Sequence, residues 1–118
     1  MSPQQQAPFA ATCPDCEVTS DATEANEIVD FYRRHHRHTG HDVVVARADI
    51  AFDVPATDDV LAIVDALDAR YEDGVPVGIV VAAASEQGVT VGETLDAIRE
   101  VRLTGALAEP RDDHLTAV

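Results

Sequence analysis

Residues 88–118, GVTVGETLDAIREVRLTGALAEPRDDHLTAV, decide how the chain is read. Thr90 and Glu93 stand at capping-box spacing, so a helix opens at Thr90. Leu95, Ile98 and Val101 recur at helical spacing and mark its buried face. Gly105 ends it. Residues 106–109 and 114–118 then read as two short strands around a turn at Pro110, Arg111, Asp112 and Asp113. Working upstream, Gly88 stops another helix, which begins near Pro76 and runs to about residue 87. Before it, Thr57 caps a helix over residues 58–71, with Asp58 and Asp59 at its positive end. Val60, Val64, Leu67 and Tyr71 form its apolar stripe.

Three helices followed by a terminal hairpin is the winged-helix plan. The last two helices, joined through Gly88, Val89 and Thr90, form a helix-turn-helix. The stretches 63–67 (IVDAL) and 71–76 (YEDGVP) carry a resemblance, as do Gly105, Glu109-Pro110-Arg111, His114-Leu115 and Val118. Together they resemble the winged-helix domain at the C-terminus of archaeal MCM helicases. The resemblance implies a regulatory, interaction-directed and DNA-binding module. It does not extend to the ATPase, because the chain has no Gly-x-x-x-x-Gly-Lys-Ser/Thr loop and no Lys at all. A helix-turn-helix reads duplex with the exposed face of its second helix. The candidate contacts there are Arg99 and Arg102, with Arg111 at the hairpin tip.

The N-terminal part carries different chemistry. Cys13 and Cys16 form a C-x-x-C knuckle, and a helix is expected from Ser20 or Asp21 to about Arg37. Gly40 ends that helix, and residues 42–46 follow as a strand. Two thiolates and two imidazoles suit a tetrahedral Zn²⁺ shell, so Cys13, Cys16, His35 and His41 read as one structural zinc site. Five residues separate His35 from His41, a familiar ligand spacing. His36 and His38 compete for the third position. His35 is favoured because it shares a helix face with Ile28 and Tyr32. Thr39-Gly40-His41 before a Val-rich strand resembles the closing half of small archaeal and ubiquitin-protease-type zinc fingers. The run Arg33-Arg34-His35-His36-Arg37-His38 is the chain's cationic stretch, with three of its eight arginines, and reads as a nucleic-acid contact.

Charge sets the background. Twenty-two acidic residues face eight basic ones across 118 residues, for a formal net charge of −14. Complete absence of Lys with a dense carboxylate surface reads as a halophilic archaeal protein. In ~1 M salt self-repulsion is screened within about 3 Å. Residues 1–11 have no basic start and no apolar run, and nothing approaches the ~20 apolar residues of a membrane span. The expectation is a cytoplasmic protein without membrane contact.

These readings give an α+β chain: a disordered tail over 1–12, a zinc-finger-like segment over 13–46 (knuckle, helix, short strand), a connector over 47–56 and a winged helix over 57–118. The expected function is a transcription or replication regulator binding double-stranded DNA. The alternative is an interaction adaptor docking a replication or transcription protein without touching DNA. No nucleophile, acid–base or phosphate-loop constellation points to an enzyme.

Overall fold

The first ordered element is a strand where a tail was expected. The structure, a computed structural model, describes residues 7–118. The expected tail over 1–12 lies outside them only to residue 6. From there β1 (Phe9–Cys13) is strand, buried at four of its five positions. It pairs antiparallel with β2 (Val18–Ala22) on one side and β3 (Val44–Ala48) on the other, giving the order β2-β1-β3. The helix expected from Ser20 therefore begins later. Ser20 and Asp21 belong to β2, and α1 runs Asn26–Thr39. Its N-terminal hydrogen bonds are made by Glu27, whose carboxylate accepts from the Thr23 hydroxyl and the Glu24 amide. The Asp21–Glu24 spacing is incidental.

The second half follows its local signals more closely. α2 spans Val60–Leu67 and tightens into a 3₁₀ turn over Asp68–Arg70. Its cap is Asp59 and not Thr57: the Asp59 carboxylate accepts from the Leu61 and Ala62 amides. β4 (Val75–Pro76) leads directly into α3 (Val77–Ser85). α4 (Val91–Leu103) opens on Thr90 with the full reciprocal capping box. β5 (Leu107–Arg111) and β6 (His114–Ala117) close the chain as a hairpin, and β4 adds to β6, giving the order β4-β6-β5.

The two halves share one core. α3 is apolar on every side, and all residues from Val77 to Ala84 are buried. A helix of that kind must be covered all round. α2 and α4 cover part of it, while α1 and β3 from the N-terminal half cover the rest. Gly78 permits this approach: a Cβ there would lie inside contact with the Ala25 carbonyl and 2.7 Å from the Asn26 nitrogen. Asn26 binds both of its neighbours, accepting from the Gly78 amide at 2.8 Å and donating to the Asp113 carbonyl at 3.0 Å. Ile28, Val29 and Val43 join Ile63, Val80, Val91 and Leu115 in a single hydrophobic cluster. The radius of gyration, 14.1 Å, is near the roughly 13.5 Å of one compact domain of this length. The stretch 47–56 is thus a connector in sequence, but it does not separate two cores. No helix of the described residues is long and apolar enough to cross a membrane.

Candidate metal centre and the arginine cleft

The β1–β2 hairpin brings two cysteines to one point. Cys13 ends β1, and the Glu17 amide donates back to its carbonyl at 2.9 Å. Glu17 takes a left-handed conformation (φ 56°), which turns the chain tightly enough for Cys16 to face Cys13. Both are free thiols, Cys13 buried and Cys16 half-buried. From the other side α1 delivers His35 one turn beyond Phe31, and the two rings stack at 5.4 Å. Gly40, at φ 75°, caps α1 by donating to the His36 carbonyl. That left-handed residue sends the chain back across the helix end. His41 then lands beside the sulfurs, its Nδ1 3.1 Å from Cys16 Sγ and 3.6 Å from Cys13 Sγ.

Cys13, Cys16, His35 and His41 place one ligand atom each within 4.8 Å of one another, so the four can hold a metal ion. His36 is not among them; its Nδ1 pairs with the His41 carbonyl at 3.2 Å. His35 Nε2 is buried without a hydrogen-bond partner and is the one such side-chain atom among the described residues. A buried nitrogen left unpaired costs about 1–3 kcal/mol. An ion between the thiols and imidazoles would satisfy it. Partial burial, together with the hydrogen bond and charge of Cys13 and then Asp15, pushes the Cys16 thiol above its ordinary range. A cation bound there would favour the thiolate form of a coordinating sulfur.

The six candidate arginines divide. Arg33 and Arg37 on α1, and Arg99 and Arg102 on α4, line a single cleft of about 600 Å³ between the two helices. Tyr32, stacked on His36 at 5.1 Å, forms part of its wall, and Leu95, Ile98 and Leu115 contribute apolar surface. Two of the four are already paired. Arg33 donates through both terminal nitrogens to Asp113 at 2.9 Å, which holds its charge more firmly, and Arg102 meets Glu109 at 2.7 Å. Arg37 and Arg99 have no ion pair among the described residues. Arg34 points elsewhere, lining a depression with Phe31, His35 and His38. Arg111 sits apart at the hairpin, 3.5 Å from Asp73.

Sequence reasoning missed the residues that join the metal centre to the cleft. Asp42, next to ligand His41, reaches the start of α4. Its carboxylate accepts from the Thr90 hydroxyl at 2.6 Å and from the Gly92 amide at 2.8 Å. The available signal was glycine inside helical patterns. Gly78 and Gly92 occupy helix positions with no turn to explain them, which indicates a close neighbour without naming it.

Residues 10–47 match the family described as HVO_B0008 N-terminal, and residues 65–115 match the one described as HVO_B0008 C-terminal domain. The chain is similar to both halves of one two-part family. The matches run in tandem, one over the metal-centre half and one over the α2–β6 half. Neither description names a helicase, a winged helix or a zinc finger. Comparison with curated proteins and with solved structures gave no match.

Proposed function

We propose that the chain is a small zinc-containing winged-helix protein that binds duplex DNA as a transcription or replication regulator. Cys13, Cys16, His35 and His41 would hold one structural Zn²⁺. An ion of that kind needs ligand atoms about 3.3–3.8 Å apart. Cys16 Sγ and Cys13 Sγ lie near that distance from His41 Nδ1, and His35 Nε2 has no other partner. Four protein ligands leave no open coordination position, which fits a structural role. Metal analysis of protein purified without chelator should give about one zinc per chain. A value near zero, in protein that stays folded after chelation, would sink the assignment.

The winged-helix reading draws support from the order α2, β4, α3, α4, β5, β6 and from β4 pairing with the hairpin. The DNA reading rests on one observation. In a chain of net charge −14, four of eight arginines from two distant segments gather along the α1–α4 face. The contact set would be Arg33, Arg37, Arg99 and Arg102, flanked by Arg34 and Arg111. Fluorescence-anisotropy titration at 0.5 and 2 M KCl tests it, using genomic and random duplexes. Affinity should change by less than about tenfold between the two salts, because carboxylates that take up cations offset the counterions released from phosphate. Replacing Arg37 and Arg99 together by Ala should weaken binding by at least about tenfold.

A second reading, the protein-interaction adaptor, is favoured by a specific feature. Arg33 and Arg102 already have carboxylate partners, and Asp96 lines the same cleft. A face of mixed sign suits a protein partner better than a phosphate backbone. No complex with any duplex at either salt would move the assignment to the adaptor.

A further inference from the structure

The residue that follows ligand His41, Asp42, reaches across to the start of α4, the helix that carries Arg99 and Arg102 into the cleft. The Asp42 carboxylate sits at the N-terminus of α4, where free amides and the helix dipole favour negative charge. Oδ1 accepts from the Gly92 amide and the Val43 amide, both at 2.8 Å; Oδ2 accepts from the Thr90 hydroxyl at 2.6 Å. The Val91 amide donates to the Val43 carbonyl at 3.0 Å. Three consecutive residues at the start of α4 are therefore held by two consecutive residues that follow a ligand.

The fit is close. A Cβ on Gly92 would stand 2.7 Å from Asp42 Oδ2 and 2.8 Å from the Tyr32 hydroxyl. Tyr32 in turn lies on α1 and stacks on His36, whose Nδ1 pairs with the His41 carbonyl. So His41 is fixed by its backbone to α1 and is continuous with the plug of α4.

We infer that Asp42 couples the four-ligand centre to the arginine-bearing helix α4, so that metal occupancy and anion binding in the cleft support each other. The inference rests on the zinc reading above and names a regulation of that same site. With His41 held beside the two sulfurs, Asp42 and Val43 are in place to anchor α4, and Arg99 and Arg102 face Arg33 and Arg37 across the cleft. With His41 released, that anchor loses its fixed end. Coupling of this kind is reciprocal: whatever factor the metal adds to anion affinity, the anion adds to metal affinity.

The test is zinc affinity measured by competition with a chromophoric chelator, in 2 M KCl. The variants are Thr90→Val and Thr116→Val, compared with the wild type. Both remove one short hydroxyl–carboxylate bond from the C-terminal half, to Asp42 and to Asp68 respectively, and because Thr90→Val also removes the acceptor of the Glu93 amide, Asp42→Asn, which leaves that cap in place, is measured beside it. Neither is a ligand. Thr90→Val should weaken zinc by about tenfold, a typical coupling factor, and Thr116→Val by less than twofold. Thr90→Ser, which keeps the hydroxyl, should restore the wild-type value. Equal affinity in all variants overturns the link. Equal weakening in both valine variants also overturns it, because that is a loss of general stability. If Thr90→Val does not fold, Asp42→Asn provides the same comparison, with several-fold weakening expected and no change refuting. A wild type that binds no zinc fails earlier, at the metal assignment itself. Adding a duplex that binds should tighten zinc in the wild type and not in Thr90→Val. No tightening in the wild type, with the duplex demonstrably bound, refutes the reciprocity.

Discussion

Gly78→Ala tests whether the two halves are one structure. In an exposed helix this change stabilises by about 1 kcal/mol, because Ala is the better helix former. Here the sign should reverse. The added methyl would stand inside contact with the Ala25 carbonyl and 2.7 Å from the Asn26 nitrogen. Those are backbone atoms at the start of α1, which cannot rotate aside. Forcing extra volume into a packed core costs about 1–3 kcal/mol, and the rigid neighbour puts this case at the upper end. Displacing α1 also breaks the bond from the Gly78 amide to Asn26, worth about 1 kcal/mol. The helix gain offsets roughly that last term. The net loss is about 3 kcal/mol, or about 12 °C in melting temperature for a chain of this size. Thermal melts in high KCl should be followed by far-ultraviolet circular dichroism and by the visible bands of a cobalt-substituted centre. The two probes should move down together. An unchanged or raised melting temperature would refute the close packing. A drop confined to one probe would refute the single core.

Two further outcomes follow from the same structure. Melting temperature should climb steadily from 0.01 M KCl to multimolar KCl, since the repulsion among carboxylates spans ~30 Å at the low end and about 3 Å at 1 M; a flat series contradicts the halophilic reading. Cys13→Ala should abolish metal binding and, in the same step, lower or abolish the melting transition of the whole chain. Apparent zinc energies of roughly 10–16 kcal/mol match or exceed the 5–15 kcal/mol that holds a typical domain. A variant whose α2–β6 half melts as the wild type does would show that half to be independent.

The sequence was legible where its signals were local. The Thr90–Glu93 box and Gly105 each act within a few residues and stand where they were expected, while the expected turn over residues 110–113 narrows to Asp112 and Asp113, because Pro110 and Arg111 continue β5. The metal cluster was legible for a chemical reason: thiolate and imidazole spacing carries its own meaning. The choice of His35 over His36 needed only the rotation of about 100° per helix residue. β1 was not legible, because the stretch FAATC becomes a strand only by pairing with residues 18–22 and 44–48. Nothing within the stretch announces either partner. Where the arginines would meet was equally closed, since residues 33 and 37 reach 99 and 102 only through the packing of α1 and α4.

That packing also changes what the N-terminal half is for. α3 has no polar face: Val77, Ile79, Val80 and Val81 are buried along with the three alanines that follow. In a freestanding module built from α2 to β6, the side of α3 that meets α1 and β3 would be an exposed apolar surface. Such a surface is a liability for association. Here it is covered by a segment that turns Ile28, Val29 and Val43 toward it and carries the four-ligand centre. The metal-centre half packs Ile28, Val29 and Val43 into the cluster that holds Val80; the α2–β6 half takes its cover for α3 from α1 and β3, and an added hold on the start of α4 from Asp42. α1 is tied to the α2–β6 half by Asn26 and Arg33, through Gly78 and Asp113, and the cluster at Cys13, Cys16, His35 and His41 gathers the other end of that helix to the β1–β2 hairpin.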